Sequence, residues 1–244
     1  MNELLQGQGT QIKSLKFEGL FFQHETQDPI LNNADFEFPT NENVLIQSVQ
    51  GAGKSTLLQI LGGLIVPQSG KFLINDDNVV DMSFEEFLPY RLMIGYTFDY
   101  GGLINNRTIY DNLMLPLLYH KLVDVEEANR RVMEVLKYFE LEKFKDERPA
   151  HIPGRVRKIS CLLRPMMTHP QVLLLDDPSV GLGQETSLKF IDLINKHRAE
   201  RGLKHVFISS YDEKFMSHIN HITVHLDNGL LYAPQTEGNK AVSL

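Results

Sequence analysis

Residues 44–61, VLIQSVQGAGKSTLLQIL, limit the folds open to this chain more than any other stretch. A short apolar β run, Val44-Leu45-Ile46, enters a tight segment with Gly51 and Gly53 and leaves it directly into a helix-forming run carrying Leu57, Leu58, Ile60 and Leu61. Strand, glycine loop and helix in that order cradle a phosphate. Glycines let backbone N–H groups turn inward, and the helix N-terminus adds positive partial charge. In such a loop Lys54 reaches the β- and γ-phosphates and the Ser55 hydroxyl takes a place on Mg²⁺. The match to G-x-x-x-x-G-K-[ST] lacks its first glycine, where Ser48 stands. The candidate cofactor-binding residues of the loop are therefore Ser48, Gly51, Ala52, Gly53, Lys54, Ser55 and Thr56.

A second site follows downstream. Val172-Leu173-Leu174-Leu175 is an unbroken apolar run, as expected of a central strand buried on both faces. It ends on Asp176-Asp177-Pro178. A carboxylate at the C-terminal end of such a strand faces the crevice where α/β sheets bind ligands, so Asp176 can hold Mg²⁺ through water. A plain strand ending in a turn is the bland alternative, and the glycine loop earlier in the chain argues against it.

The 244 residues suffice for one large α/β domain or a domain with an insertion. The balance of 24 basic and 31 acidic residues, net −7, disfavours a nucleic-acid scaffold. A single cysteine, Cys161, excludes an internal disulfide, fits a reducing compartment, and lies on an apolar helix face that reads as core. The polar N-terminus, MNELLQGQGTQ, does not read as a signal peptide. No apolar run approaches the ~20 residues that span a bilayer, so a membrane role is expected to pass through a partner.

Residues 1–11 read as a loose leader and the last ten as a polar tail. The pattern predicts strands over 12–22, 34–38, 72–74, 92–98, 172–175, 205–209, 222–226 and 230–232. Asn75–Asn78 reads as a turn, and Ser83 with Glu86 as a capping box. From Thr108 to Leu141 the pattern is helical, with Ala128, Val132, Val135, Leu136 and Phe139 on one stripe. Helices are also expected at 184–201 and 213–217. His218, His221 and His225 could suggest a metal, but His221 and His225 alternate with Ile222, Val224 and Leu226 and read as a solvated strand face.

With both sites in hand, the chain from about Ile12 to Ala233 resembles the nucleotide-binding subunit of an ABC transporter. Gly62-Gly63-Leu64-Ile65-Val66-Pro67-Gln68-Ser69-Gly70-Lys71 follows a turn of that family, and Ser179-Val180-Gly181-Leu182-Gly183 stands at its D-loop. Ile94–Phe98 and Asn112–Leu117 frame the segment that in the family touches membrane subunits. Within it, Tyr100, Leu103, Ile104 and Ile109 read as an exposed apolar patch for such a partner. Residues 100–117 also resemble the lipid-trafficking branch. The resemblance implies ATP and Mg²⁺ as cofactors, with Ser55 and Asp176 on the metal and His24 or Phe22 beside the adenine.

The departures from the family pattern carry as much information. Asp99 stands at the Q-loop glutamine, Asp177 at the general base and Tyr211 at the switch histidine; these are the candidate catalytic residues. The signature segment falls on Ile152-Pro153-Gly154-Arg155-Val156, where Gly154 alone survives. Pro165, in the helix beyond, is expected to kink it. Aspartate is one methylene shorter than glutamate, and a carboxylate displaced by roughly 1 Å can cost on the order of 10²-fold in rate. Tyrosine cannot carry the charge a histidine can. Arg155, Arg157 and Lys158 form a basic cluster, either a solvated face or an anion or partner site.

These observations predict a P-loop ABC-type α/β domain over 12–233, with an antiparallel β portion and an inserted helical sub-domain at about 99–168. The expected function is the cytoplasmic ATP-binding subunit of an ABC-type transport system, peripheral on the inner face of a membrane, with impaired hydrolysis. It would pair with membrane-embedded subunits and form a homodimer, or a heterodimer with another ABC subunit, without nucleic acid. Two alternatives are a working transport ATPase with unusual residues and a soluble ABC-type protein acting on ribosomes or DNA.

Overall fold

The apolar run at 172–175 lies between two cores. In this computed structural model, which describes residues 11–25, 28–99 and 102–233, it forms strand β7 (Val172–Asp176), buried at every position. Val172 and Leu174 pack into one core, Leu173 and Leu175 into the other. A strand covered on both faces has no polar side to alternate with, which is why the run is continuous.

β7 belongs to a six-stranded sheet of order β10-β9-β3-β8-β7-β6. Its parallel members are β3 (Asn43–Gln47), β6 (Ile94–Thr97), β7, β8 (His205–Ser209) and β9 (Ile222–Asp227); β10 (Leu230–Tyr232) closes the edge antiparallel. A second, antiparallel sheet of order β2-β1-β4-β5 is built from β1 (Leu15–Phe22), β2 (Leu31–Glu37), β4 (Ser69–Ile74) and β5 (Asp77–Asn78). Phe17 anchors it, edge-on to Phe38 and Phe72 with ring centroids 5.1 and 5.3 Å apart. Helix α1 (Lys54–Leu61) lies in the core between the two sheets, with Leu57 and Leu58 fully buried.

The other face of the parallel sheet carries α3 (Ile109–Tyr119), α4 (Val125–Tyr138), α5 (Gly154–Met166) and α6 (Gln184–Glu200), while α2 (Phe84–Leu92) precedes β6 and the single turn α7 (Glu213–Met216) follows β8. The stripe read from sequence is the buried face of α4: Ala128, Val132 and Leu136 are fully buried, with Phe139 just beyond. Reciprocal capping boxes start α2 at Ser83 and Glu86 and α3 at Thr108 and Asp111. Each satisfies two of the donors that a helix start leaves free.

Three expectations need correction. The 75–78 turn is tighter than read: Asn75 takes φ 57°, and Asp77–Asn78 already pair back onto β4. The strand read from Leu92 starts at Ile94, because Leu92 ends α2. Pro165 lies in the last turn of α5, next to its final residue, so the missing N–H and the ring clash fall where the helix stops; it marks the end of that helix and does not interrupt its middle. The readings of a leader and a tail fall on residues 1–10 and 234–244, outside the described residues.

Candidate functional site

The glycine loop leaves β3 at Gln47 and turns through Gly51 (φ 84°) and Gly53 (φ 98°) into α1. Gly53 is required twice over. Its backbone is left-handed, and a Cβ there would stand 2.4 Å from Ile30 Cγ2. Ser48, in place of the first glycine, bonds its hydroxyl to the Val49 carbonyl at 2.9 Å and leaves the loop formed. Lys54 is buried, Ser55 is exposed at the helix start, and Thr56 is buried beneath it. A cleft of about 420 Å³ opens beside Lys54, lined by Ser48, Ser210, Tyr211, Glu213 and Thr223 among others.

Strand register brings the second site to the same edge. Ser209 at the end of β8 is level with Ile46 of β3 on one side and Asp176 of β7 on the other. Its hydroxyl donates to Asp176 Oδ1 at 2.6 Å, fixing a carboxylate that is only 4% exposed. Ser55 and Asp176 offer oxygens only. That suits Mg²⁺, which takes one or two protein oxygens and completes its shell with water and phosphate.

Asp177 follows with φ 42°, a left-handed conformation uncommon for a residue with a side chain. Its N–H donates to the Ser209 carbonyl at 2.9 Å. Burial, with Asp176 and then Asp99 nearby, pushes its carboxyl above the ordinary aspartate range. Asp99 stands just beyond β6, and Tyr211 two residues beyond β8. The Tyr211 ring lies over Lys54, with Nζ 3.6 Å from the ring centroid. Lys54, Asp99, Asp176, Asp177 and Tyr211 are thus gathered at the C-terminal edge of the parallel strands, where open α/β sheets bind ligands.

Lys158 was not singled out by its sequence. It reads as one of three cations in a cluster, but Arg155 and Arg157 are exposed while the Lys158 side chain turns inward and is 11% exposed. Its ammonium donates to the carbonyls of Asp99 at 3.0 Å and Asp177 at 2.9 Å. No sequence signal distinguishes it beyond its place one turn into a helix whose next residues, Ile159 and Ser160, are buried. Ser209 was likewise unmarked.

Other expected residues are sorted by burial. Phe22 is a core residue, whereas His24 is exposed, sits edge-on to Phe22 at 5.0 Å, and brings Nε2 to 3.4 Å from Thr56 Oγ1. Pro153 caps α5 and, with Arg155, lines a different cleft alongside Glu140, Lys143 and Lys189. The expected apolar patch is not exposed as read. Ile109 is fully buried, Leu103 packs against the helical core, and Ile104 is half-buried and bonded by its backbone to the buried Asn112 side chain at 2.7 and 3.1 Å. Tyr100 lies outside the described residues. Exposed apolar side chains nearby include Phe84 and Phe98, on a groove with Leu88, Pro116 and Arg164. Cys161 is buried, and burial pushes its thiol up.

A glycine loop and a strand-end aspartate on one shared edge define a nucleotide-binding cassette of the P-loop class. The family model described as ABC transporter matches residues 31–180. The ABC transporter ATP-binding protein YtrE of Bacillus subtilis is 30% identical over 208 residues, 85% of this chain and 89% of that one. The lipoprotein-releasing system ATP-binding protein LolD of Bacteroides fragilis is 30% identical over 205 residues, 82% of this chain and 92% of that one. Among solved structures, a dimeric post-hydrolysis state of the ATP-binding cassette MJ0796 bound to ADP and Pi superposes with a TM-score of 0.79 at 26% identity, covering 89% of this chain and 96% of that one; a protein of that designation from Methanocaldococcus jannaschii is 31% identical over 186 residues, 75% of this chain and 79% of that one. This chain belongs to the ABC transporter family, and its fold is that of an ABC ATPase cassette. Among the described residues no helix is long and apolar enough to cross a membrane.

Proposed function

We propose that this chain is the ATP-binding subunit of an ABC-type transport system and that it binds Mg-ATP but hydrolyses it slowly. The observation that carries the proposal is the shared edge: Ile46, near the end of the strand that enters the glycine loop, is level with Asp176 across Ser209 of β8, while the Asp177 and Tyr211 positions carry altered chemistry. Ser48, Gly51, Ala52, Gly53, Lys54, Ser55 and Thr56 would hold the phosphates, His24 would face the base, and Ser55 with Asp176 would hold Mg²⁺. When bound, Mg²⁺ neutralises phosphate charge. Asp99, Asp177 and Tyr211 would be the reacting-side residues. Relatives named as transporter ATP-binding proteins and a dimeric cassette among the solved structures support a subunit that pairs with a second cassette. It would be peripheral on the cytoplasmic face and work as a homodimer or heterodimer against membrane-embedded partners. The domain would run over 12–233 with its helical sub-domain at about 99–168.

Slow turnover follows from reach and charge. The Asp177 carboxylate is one methylene short of the family's base, and in a dimer the facing segment would offer Pro153, which has no N–H, and Arg155 in place of a glycine. Phosphoryl transfer depends on positioning and electrostatics, so losses in both halves lower kcat. One observation favours the second reading, a working ATPase with unusual residues: the raised proton affinity of Asp177 suits a base. Phosphate release by the wild-type chain, with Lys54→Ala as control, separates the two. We expect turnover at least ~10²-fold below an ordinary subunit, whereas about one per second, abolished in Lys54→Ala, returns the chain to the working ATPases.

A further inference from the structure

Three distant segments meet at one buried ammonium. Lys158 of α5 donates to the Asp177 carbonyl at the end of β7 and to the Asp99 carbonyl beyond β6, and stands 3.7 Å from Asp99 Oδ1. Oδ1 itself has no hydrogen bond among the described residues. Asp177 is held in left-handed backbone, which a residue with a Cβ keeps only where its surroundings over-determine it. Here both ends of the residue are tied: its N–H to the Ser209 carbonyl and its C=O to Lys158.

We propose that Lys158 is a positioning residue, which pins Asp177 in this conformation and ties it to Asp99, so that α5 sets the geometry of the carboxylate edge. This rests on reading that edge as a Mg-ATP site. α5 begins at the exposed Pro153–Arg155 segment and carries Lys158 one turn later on its inward side. A contact that shifts the start of the helix therefore moves the ammonium against Asp177 and Asp99 together. Removing the ammonium leaves two carbonyls without their donor.

The test uses the full chain and compares Lys158→Met, which fills the volume without donors, with Lys158→Arg, which keeps the charge and donors. Two readouts are taken: amide hydrogen exchange over 176–182, and ATP affinity by calorimetry with Mg²⁺ and with EDTA. In Lys158→Met we expect exchange over 176–182 to rise about tenfold, with β3 and β8 unchanged. The gain in ATP affinity on adding Mg²⁺ should fall about tenfold while affinity in EDTA holds within about twofold, since Lys54 still meets the phosphates. Lys158→Arg should restore most of both. Unchanged exchange over 176–182, or equal losses in Mg²⁺ and EDTA with faster exchange everywhere, overturns the proposal; the latter is the mark of a merely structural lysine. If Lys158→Met does not fold, Lys158→Gln takes its place with the same two criteria. A wild-type chain that binds no ATP overturns the nucleotide reading alone, and the exchange data still decide Lys158.

Discussion

Lys54 carries its ammonium beneath the Tyr211 ring, and the two differ sharply in exposure: Lys54 is 8% exposed and Tyr211 55%. A cation over an aromatic face gains about 0.5 kcal/mol at the surface and about 2 kcal/mol when desolvated. A phosphate needs the same ammonium, so ring and nucleotide compete, and an exposed side chain can swing away at small cost. Tyr211→Ala should therefore tighten Mg-ATP binding by roughly 2- to 30-fold, the affinity equivalent of that contact. Calorimetry on the two proteins checks it; weaker binding by Tyr211→Ala would mean that the ring touches the nucleotide instead of guarding the lysine. Asp177→Glu should not restore turnover by itself, because Tyr211, Pro153 and Arg155 remain.

The junction between the end of α5 and α6 holds two imidazoles in a basic setting. His169 and His197 meet edge-to-face at 5.3 Å, and Arg131 lies 3.3 Å from His169 Nδ1. Burial foremost depresses both to about 4, with Arg131, His197 and Arg201 adding to it at His169 and Arg201 at His197. Between pH 6.5 and about 4 the unfolded chain binds protons that these buried rings refuse, so the stabilisation is full above 6.5, falls through that window, and levels off below it. For His197, 6% exposed, the loss is on the order of 3 kcal/mol at about 1.4 kcal/mol per pKa unit. Urea midpoints at pH 7 and 5 should drop steeply in the wild type and less in His197→Phe. Equal slopes in both proteins would show that the window belongs to other groups.

A groove of about 330 Å³ beside β6 carries two exposed aromatic side chains. Phe84 is 72% exposed and Phe98 42%. Unlike Leu103 or Ile104, they can contact a partner without leaving the core. In a chain that would serve a membrane through partners, this groove is where those partners would seat. Phe84→Asp with Phe98→Asp should release the protein from native membranes with its circular dichroism unchanged. Leu103→Asp with Ile104→Asp should instead lower its melting temperature. Membrane association that survives the first pair would remove the groove from the partner surface.

Periodicity and turn chemistry are local, and they are what the amino-acid order decided. The period-3.6 stripe of α4, the box at Ser83, the glycine loop and the unbroken apolar run of β7 each follow from interactions spanning a few residues. They disclosed the fold class and most of the shared edge. Which cation turns inward is not local. Arg155, Arg157 and Lys158 are equivalent in composition, and only the packing of α5 against the sheet separates them. The same holds for Leu103 and Ile109, whose burial depends on helices that close over them, for Ile104, whose backbone is bonded to the Asn112 side chain, and for Ser209, whose meeting with Asp176 is a matter of strand register. The ring of Tyr211 over Lys54 joins the loop beyond β8 to the first residue of α1. Burial and cross-strand contact depend on segments far apart in the chain, so they were decided only when the sheets and helices came together.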